Sequence, residues 1–123
     1  MTAKKRVMVL DDSKTIRTTT EGYLRELGYD VHCCTDGING ISHIVSFAPD
    51  ILLIDMEMPR LNGLETVRLI RGNSTFKSTP IVMLSSKDGM FDMALATDAG
   101  ANDYIVKPPR KDAIEAVIKK HLG

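Results

Sequence analysis

The sequence predicts an α/β fold: an open, doubly wound sheet of five parallel strands with helices on both faces. Short runs of apolar and β-branched residues alternate five times with segments whose apolar residues recur at helical spacing. Some of these runs, such as Ile51–Ile54, are entirely apolar, which is typical of strands buried on both faces of a parallel sheet. Five units cannot close an eight-stranded barrel, so we expect an open sheet with strand order 2-1-3-4-5.

The first half of the chain supplies three predicted strands and two predicted helices. Apolar and β-branched content predicts the strands Arg6–Asp11, Tyr29–Cys34 and Asp50–Asp55. Helical periodicity predicts Ser13–Leu27, ended by Gly28, and Gly37–Phe47. The side chains expected to face the sheet are Ile16, Tyr23, Leu24 and Leu27 in the first helix, and Ile38, Ile41, Ile44 and Val45 in the second.

The second half continues the alternation with two strands and three helices. The first predicted helix is Leu64–Arg71, whose apolar residues are Leu64, Val67, Leu69 and Ile70. The second is Asp88–Ala99, with an apolar stripe of Ala94, Leu95 and Ala99 and with Met90 and Met93 outside it, where they suit either a partner surface or core packing. The third is Arg110–Leu122, with Ala113, Ile114, Val117, Ile118 and Leu122 inward. The predicted strands are Pro80–Ser85 and Asp103–Val106. We interpret Asn62-Gly63 as a turn that tolerates positive φ before a helix start, and Gly72–Thr79 as a connector.

Charge and hydropathy exclude two classes of partner. The 16 Lys and Arg residues balance 16 Asp and Glu residues, so no basic surplus exists to neutralise nucleic-acid phosphates. No apolar run approaches the roughly 18 residues of a membrane span, and no secretory segment follows the polar N-terminus. We therefore expect one cytoplasmic domain over residues 1–123, without an output domain.

The cysteines and histidines show no spacing typical of a metal or redox site. Cys33 and Cys34 are adjacent in a predicted strand, where their side chains point to opposite faces and a disulfide would be strained. We interpret both as reduced thiols that serve packing. His32, His43 and His121 have no matching partners in the sequence, which favours surface or packing roles.

Charged and polar residues follow the predicted strands at the positions where these strands end. Asp11-Asp12 follow the first strand, Asp55 the third and Lys107 the fifth, and Ser85 ends the fourth. The carboxyl ends of parallel strands share one rim, so we expect these groups to meet in one cleft. Crowded carboxylates repel one another unless a cation joins them or their pKa values rise. Because oxygen ligands suit hard ions, the expected cation is Mg²⁺, held by Asp11, Asp12 and Asp55 and keeping several waters.

A half-open magnesium site beside a lysine is typical of phosphoryl chemistry. Lys107 would be the second cation, and Asp55, central and single, would attack phosphorus and form an acyl phosphate. The Ser85 hydroxyl could then hydrogen-bond a phosphoryl oxygen. Taken singly, these residues have simpler interpretations, since Asp12 or Ser13 could cap a helix, Asp55 could begin a turn and Lys107 could be solvated. Their joint placement favours a site.

The chain resembles the receiver domains of two-component response regulators over essentially its whole length. The resemblance rests on five motifs in order: Val-Leu-Asp-Asp-Ser at 9–13, Leu-Ile-Asp-Met-Glu-Met-Pro at 53–59, Asn-Gly at 62–63, Leu-Ser-Ser at 84–86, and Asp-Tyr-Ile-Val-Lys-Pro at 103–108. It implies a flavodoxin-like receiver fold in which Asp55 accepts phosphate from a histidine kinase. It also implies that Asp11, Asp12 and the backbone carbonyl of Glu57 bind Mg²⁺, and that Lys107 contacts the phosphoryl group.

The resemblance further implies a switch. Ser85 and Tyr104 match the coupled pair that, in this family, changes the surface of the fourth helix, fifth strand and fifth helix, and with it the binding of a downstream protein. The peptide bond Lys107-Pro108 is often cis in such proteins. Glu57 and Lys87 flank the phosphorylation position, and we hypothesise that they pair across its entrance and slow dephosphorylation. We expect a monomer or weak dimer.

Within the family, residues 11–17 and 76–92 are similar to stand-alone regulators of type IV pilus twitching motility, although chemotaxis-type regulators are also similar. Two other functions remain open. A Mg²⁺-dependent phosphatase could use the same aspartyl phosphate with Glu57 as its acid, but no insertion supplies the cap that encloses a substrate. A flavodoxin-like cofactor carrier would need glycines and backbone donors where Asp-Asp-Ser-Lys stands.

Overall fold

Five strands form one parallel sheet in the order β2-β1-β3-β4-β5, which confirms the predicted topology. The computed structural model describes residues 4–86 and 90–123. The strands are β1 Arg6–Leu10, β2 Asp30–Cys34, β3 Ile51–Asp55, β4 Ile81–Ser86 and β5 Asp103–Lys107. The helices are α1 Lys14–Glu26, α2 Gly37–Phe47, α3 Gly63–Arg71, α4 Met90–Ala99 and α5 Lys111–Leu122, with a 3₁₀ turn at Ser74–Phe76 inside the predicted connector.

The core lies in two layers, one on each face of the sheet. Strand alternation sends Leu52 and Ile54 of β3 to the face covered by α2, α3 and α4, and Ile51 and Leu53 to the face covered by α1 and α5. All five residues of β3, including Asp55, are buried. The prediction that this strand is buried on both faces is confirmed. Its last residue, Asp55, is an ionisable side chain in the interior.

The predicted apolar face of α2 is only partly buried, and one apolar residue of α3 is exposed. Ile38 and Val45 are 45% and 66% exposed, and Leu69 of α3 is 55% exposed. The fully buried residues of α2 are Gly37, Gly40 and Ile44, of which Gly37 faces Thr66 and Leu61 and Gly40 faces Leu10 of β1. A Cβ added at Gly40 would lie 2.2 Å from Leu10 Cδ2, so this face of the helix approaches the sheet too closely for larger side chains.

The fourth helix also differs from its prediction. Among its residues 93–99, whose burial is described, Ala96 and Ala99 are buried, Leu95 is half-buried and Ala94 is exposed, so the predicted stripe is right at Ala99 and wrong at Ala94. Met93 is 39% exposed, which favours the interpretation that it lies outside the core. The predicted start at Asp88 lies outside the described residues. Among the described helices, none has both the length and the apolar content that crossing a membrane requires.

Candidate functional site

Three charged side chains converge at the carboxyl edge of the central strands. Asp55 and Lys107 end β3 and β5, and Asp11 directly follows β1. Each of these three residues follows, by two positions, a core residue that packs under α1 and α5. Because side chains alternate along a strand, all three therefore point toward that face of the sheet. The preceding core residues are Val9, Leu53 and Ile105. The sequence prediction that separate strand ends meet at one rim is confirmed.

Lys107 lies between the two buried carboxylates. Its Nζ is 2.7 Å from Asp55 Oδ1 and 3.5 Å from Asp11 Oδ2. The side chains of Asp11 and Asp55 are 0% and 1% exposed, and that of Lys107 is 19% exposed. A single ammonium therefore faces two carboxylates in a region where charges are poorly solvated, and one negative charge remains uncompensated.

Backbone donors orient one oxygen of each carboxylate and leave the other available. Ser13 N–H donates to Asp11 Oδ1 at 2.9 Å, and Glu57 N–H donates to Asp55 Oδ1 at 3.2 Å. Within the described part of the chain, the Oδ2 atoms of Asp11 and Asp55 are buried and accept no hydrogen bond. Lys107 is too far from Asp11 Oδ2 for a strong hydrogen bond. Two buried oxygens are thus free to bind a cation.

Burial shifts the ionisation of this cluster. It raises the pKa of Asp55 to about 6, although the hydrogen bonds from Lys107 and from the Glu57 backbone act in the opposite direction. Burial likewise raises the pKa of Asp11. Burial lowers the pKa of Lys107, but the hydrogen bond to Asp55 and the charge of Asp11 outweigh it, so the net shift is upward. The ammonium stays charged, and the carboxylates gain from any further positive charge.

The residues present fit a hard divalent cation. Asp11, Asp12 and Asp55 each offer a carboxylate oxygen, and these oxygens lie within 4.8 Å of one another. Asp12 is exposed, and Ser13, not Asp12, is the N-cap of α1, accepting a hydrogen bond from Ile16 N–H. Carboxylate oxygens of this kind suit Mg²⁺. The cluster borders an open cleft of about 620 Å³, lined in part by Asp12, Asp55, Glu57, Asn62 and Lys107.

The family profile of the response regulator receiver domain matches residues 7–119. The chain belongs to this family. It is therefore a receiver domain of two-component signalling, in agreement with its sequence motifs.

Proteins similar to this receiver domain include one relative named PilG and two solved structures. The protein PilG of Pseudomonas aeruginosa is 47% identical over 117 residues, which cover 95% of this chain and 87% of PilG. The chemotaxis protein CheY4 of Vibrio cholerae superposes with a TM-score of 0.93 at 28% identity, covering 98% of this chain and all of that one. A third similar protein is the receiver domain of the sensor histidine kinase PA1611 of P. aeruginosa, whose structure was solved with magnesium in the active-site cleft. It superposes with a TM-score of 0.89 at 28% identity, covering 97% of this chain and 98% of that one.

The two residues predicted as a switch pair lie on neighbouring strands of the receiver domain. Ser85 is buried in β4, one position after Leu84, whose backbone is in register with Asp55. Tyr104 of β5 is half-buried and borders both a cavity of about 90 Å³ against α4 and a groove of about 500 Å³ against α5. Tyr104 therefore lies between the two helices whose surface the switch is expected to change.

Sequence reasoning missed an ion pair that borders the site. Asp36 is the N-cap of α2 and pairs with Arg60, which follows Pro59 of the cleft and has a φ of 68°. The Asn39 N–H, and secondarily Arg60, lower the pKa of Asp36. An Asp directly before a predicted helix start was a visible N-cap signal, but a side chain 24 residues away could not be paired with it.

Lys87 of the hypothesised entrance pair lies outside the described residues.

The turn before α3 forms for a different reason from the predicted one. Asn62 and Glu65 form a reciprocal capping box, and the φ of Asn62 is −74°. Gly63 is required for space: a Cβ there would lie 2.3 Å from the Asp55 carbonyl oxygen.

The Lys107-Pro108 peptide is cis, as the family resemblance implied. Both cysteines are free, and burial raises the pKa of Cys33 to about 12 and that of Cys34 to about 11.

Proposed function

We propose that this receiver domain is a phosphorylation-activated switch in which Asp55 accepts a phosphoryl group from a histidine kinase in the presence of Mg²⁺. The observation that carries the proposal is the buried Asp55 carboxylate, held on Oδ1 by Lys107 and Glu57 N–H while Oδ2 accepts no hydrogen bond within the described chain. Such a group is oriented, opens onto a cleft and has an oxygen available for reaction.

The ionisation of Asp55 suits the attacking role. With a pKa of about 6, the carboxylate is mostly ionised at pH 7 and more basic than an exposed aspartate. One carboxylate oxygen forms a bond to phosphorus as the bond from phosphorus to the kinase imidazole nitrogen breaks, and the imidazole leaves after taking up a proton. Lys107, already 2.7 Å from Asp55, neutralises negative charge on the transferring group.

Asp11, Asp12, Asp55 and the Glu57 backbone would hold the magnesium ion. When bound, the ion supplies positive charge that offsets both the carboxylates and the phosphoryl oxygens. The chain contributes the fixed orientation of the ligands: Ser13 N–H and Glu57 N–H hold one oxygen of Asp11 and of Asp55, respectively. Preformed orientation lowers the entropy lost when ion and phosphodonor bind.

The output of the switch is a change in the surface formed by α4, β5 and α5. Ser85 directly follows Leu84, the residue of β4 that is in register with Asp55. Tyr104 borders the cavity against α4 and the groove against α5. A phosphoryl group that draws the Ser85 hydroxyl toward the rim would favour a different position of Tyr104 and shift a pre-existing equilibrium. The similarity to PilG and CheY4 favours a downstream protein of twitching motility or chemotaxis.

Intact-mass spectrometry tests the phosphoacceptor directly. The purified chain is incubated with acetyl phosphate, with and without Mg²⁺, and the same is done with Asp55→Asn. We expect one added phosphoryl group in the wild type with Mg²⁺, much less without it, and none in the variant. An adduct of equal yield in Asp55→Asn would contradict the assignment, and repeated turnover of a small phosphate ester would favour a phosphatase.

A further inference from the structure

A second group of metal-ligating side chains lies on β2 and α2, away from the carboxylate cleft. His32 and Cys34 are two positions apart on β2, so both side chains point to the face that α2 covers. His43 of α2 completes the group, and one ligand atom from each of the three residues lies within 4.8 Å of the others. These are two nitrogen donors and one sulfur donor.

A hydrogen bond sets the tautomer of His43. Its Nδ1 lies 2.7 Å from the backbone carbonyl oxygen of Asn39. A carbonyl oxygen can only accept, so Nδ1 carries the proton and Nε2 has a free lone pair. Metal-binding histidines typically donate their other ring N–H to a carbonyl or carboxylate, which fixes the ring and raises its basicity. His43 therefore already has the outer hydrogen bond of a metal ligand.

Ring contacts hold His32 beside His43. Their ring centroids are 5.2 Å apart, and the His32 ring also lies 5.3 Å from that of Phe47. Cys34 lies beneath them and is only 4% exposed, so the group has a buried sulfur and a more accessible nitrogen side. Two imidazoles that converge on a buried thiol distinguish this group from a cysteine that serves packing alone.

We propose that His32, Cys34 and His43 form a binding site for a borderline transition-metal ion such as Zn²⁺. A tetrahedral zinc ion needs ligand atoms about 3.3 to 3.6 Å apart, and its fourth position would be open to water. His43 is exposed, so small rotations of its side chain can bring the ligands to that spacing without moving the sheet. On binding, the Cys34 S–H proton passes to solvent and the thiolate sulfur bonds to the metal.

Ligand type separates this site from the carboxylate cleft. Imidazole and thiolate favour Zn²⁺ or Co²⁺, whereas the oxygens of Asp11, Asp12 and Asp55 suit Mg²⁺. The two sites should therefore fill independently when Mg²⁺ is in excess. The inference does not depend on phosphorylation of Asp55, so either proposal can fail alone.

Cobalt absorption spectroscopy tests the site because Co²⁺ replaces Zn²⁺ and reports its ligands. The reduced full chain is titrated with Co²⁺ in excess Mg²⁺. We expect one equivalent to produce visible bands of a tetrahedral ion and a near-ultraviolet thiolate-to-cobalt charge-transfer band, both abolished by one equivalent of Zn²⁺. Absence of the charge-transfer band in the wild type would overturn the proposal.

Variants assign the spectrum to these residues. His43→Gln changes an exposed side chain and should keep the fold, yet we expect it to weaken Co²⁺ binding at least tenfold, and Cys34→Ser to remove the charge-transfer band. The matched controls are Cys33→Ser, the neighbouring thiol on the other face, and Asp12→Asn in the carboxylate cleft; both should keep the wild-type spectrum. An unchanged spectrum in His43→Gln, or its loss in Cys33→Ser, would refute the site.

Discussion

Burial gives the aspartates of the cleft different properties, although their side chains are chemically identical. Asp55 is 1% exposed and its pKa is raised to about 6, whereas Asp12 is exposed at the mouth of the same cleft. Asp55, like the buried Asp11, is therefore a costly charge in the metal-free protein, and within the described chain its desolvation is offset by Lys107 and one backbone N–H. The same burial that destabilises the fold orients the group for reaction.

Removing the buried charge should stabilise the metal-free protein. We expect Asp55→Asn to raise the free energy of unfolding at pH 7 by about 1 to 3 kcal/mol, because the amide needs no counter-charge. Asp12→Asn, which removes an exposed carboxylate, should change it by less than about 0.5 kcal/mol. Urea denaturation in the presence of a chelator measures both. A less stable Asp55→Asn would show that Lys107 fully compensates the native carboxylate.

The stabilisation by Asp55→Asn should depend on pH with a defined sign. The folded pKa of Asp55, about 6, lies above the ordinary value of 3.8, so between these values the folded wild type binds more protons than the unfolded chain. Its stability therefore falls as pH rises through this window. The advantage of the variant should be small near pH 4 and should level off above about pH 6.5. Thermal unfolding of both proteins from pH 4 to 7.5 tests this, and a constant difference would contradict the raised pKa.

At the scale of elements, the strands and their order were predictable and the contacts of the helices were not. The continuous apolar run Ile51–Ile54 identified a doubly buried strand because no other short element needs apolar residues at every position. Periodicity could not show that Gly40 brings α2 against Leu10, because glycine carries no hydropathy signal, and Ile38 and Val45 were therefore placed inward. The group of His32, Cys34 and His43 was missed because it depends on how α2 lies across β2.

The start of α3 shows how tightly an element is set against the site. Gly63 N–H donates to the Met56 carbonyl oxygen at 3.0 Å, and a Cβ at Gly63 would lie 2.3 Å from the Asp55 carbonyl oxygen and 2.8 Å from Met56 Cα. These neighbours are backbone atoms of the segment that presents Asp55. Any side chain at Gly63 must therefore displace the backbone of Asp55, the proposed phosphoacceptor.

Two glycine substitutions should have opposite effects. We expect Gly63→Ala to lower the free energy of unfolding by about 1 to 3 kcal/mol and to slow phosphorylation, because the added methyl overlaps backbone. Gly22→Ala, in the exposed middle of α1 with no atom within 4 Å of the new Cβ, should raise it by about 0.5 to 1 kcal/mol. Urea denaturation and intact-mass phosphorylation measure both quantities. Equal stability of the two variants would contradict the packing described for Gly63.

For the whole molecule, the sheet connects the cleft to the surface of α4, β5 and α5. Strand β4 lies between β3, which carries Asp55, and β5, which carries Tyr104 and Lys107. In the proposed switch, a change at the rim would reach both helices through these adjacent strands. The convergence of Asp11, Asp55 and Lys107 was predictable because strand order fixes which ends are neighbours, whereas the pairing of Asp36 with Arg60 depends on loop conformation.

The switch should depend on the hydroxyl of Ser85. Adding beryllofluoride and Mg²⁺, which imitate the phosphoryl group, should shift backbone amide resonances both near Asp55 and across β5 and α5 in the wild type. In Ser85→Ala we expect the shifts near Asp55 to remain and those in β5 and α5 to shrink severalfold, since the hydrogen-bond donor is lost. Ser86→Ala, one position further along β4, is the matched control. Equal responses in Ser85→Ala and the wild type would exclude Ser85 from the coupling.

The proposed switch depends on the Asp55 carboxylate bonding to phosphorus with the help of a divalent ion held by its neighbours. The most direct test is to phosphorylate the chain with acetyl phosphate and Mg²⁺, reduce it with borohydride, which converts an acyl phosphate to the corresponding alcohol, and map the product by peptide mass spectrometry. We expect residue 55 to be converted to homoserine in Mg²⁺-treated protein and not in chelator-treated protein. Reduction at another aspartate, or a yield that does not depend on Mg²⁺, would contradict it.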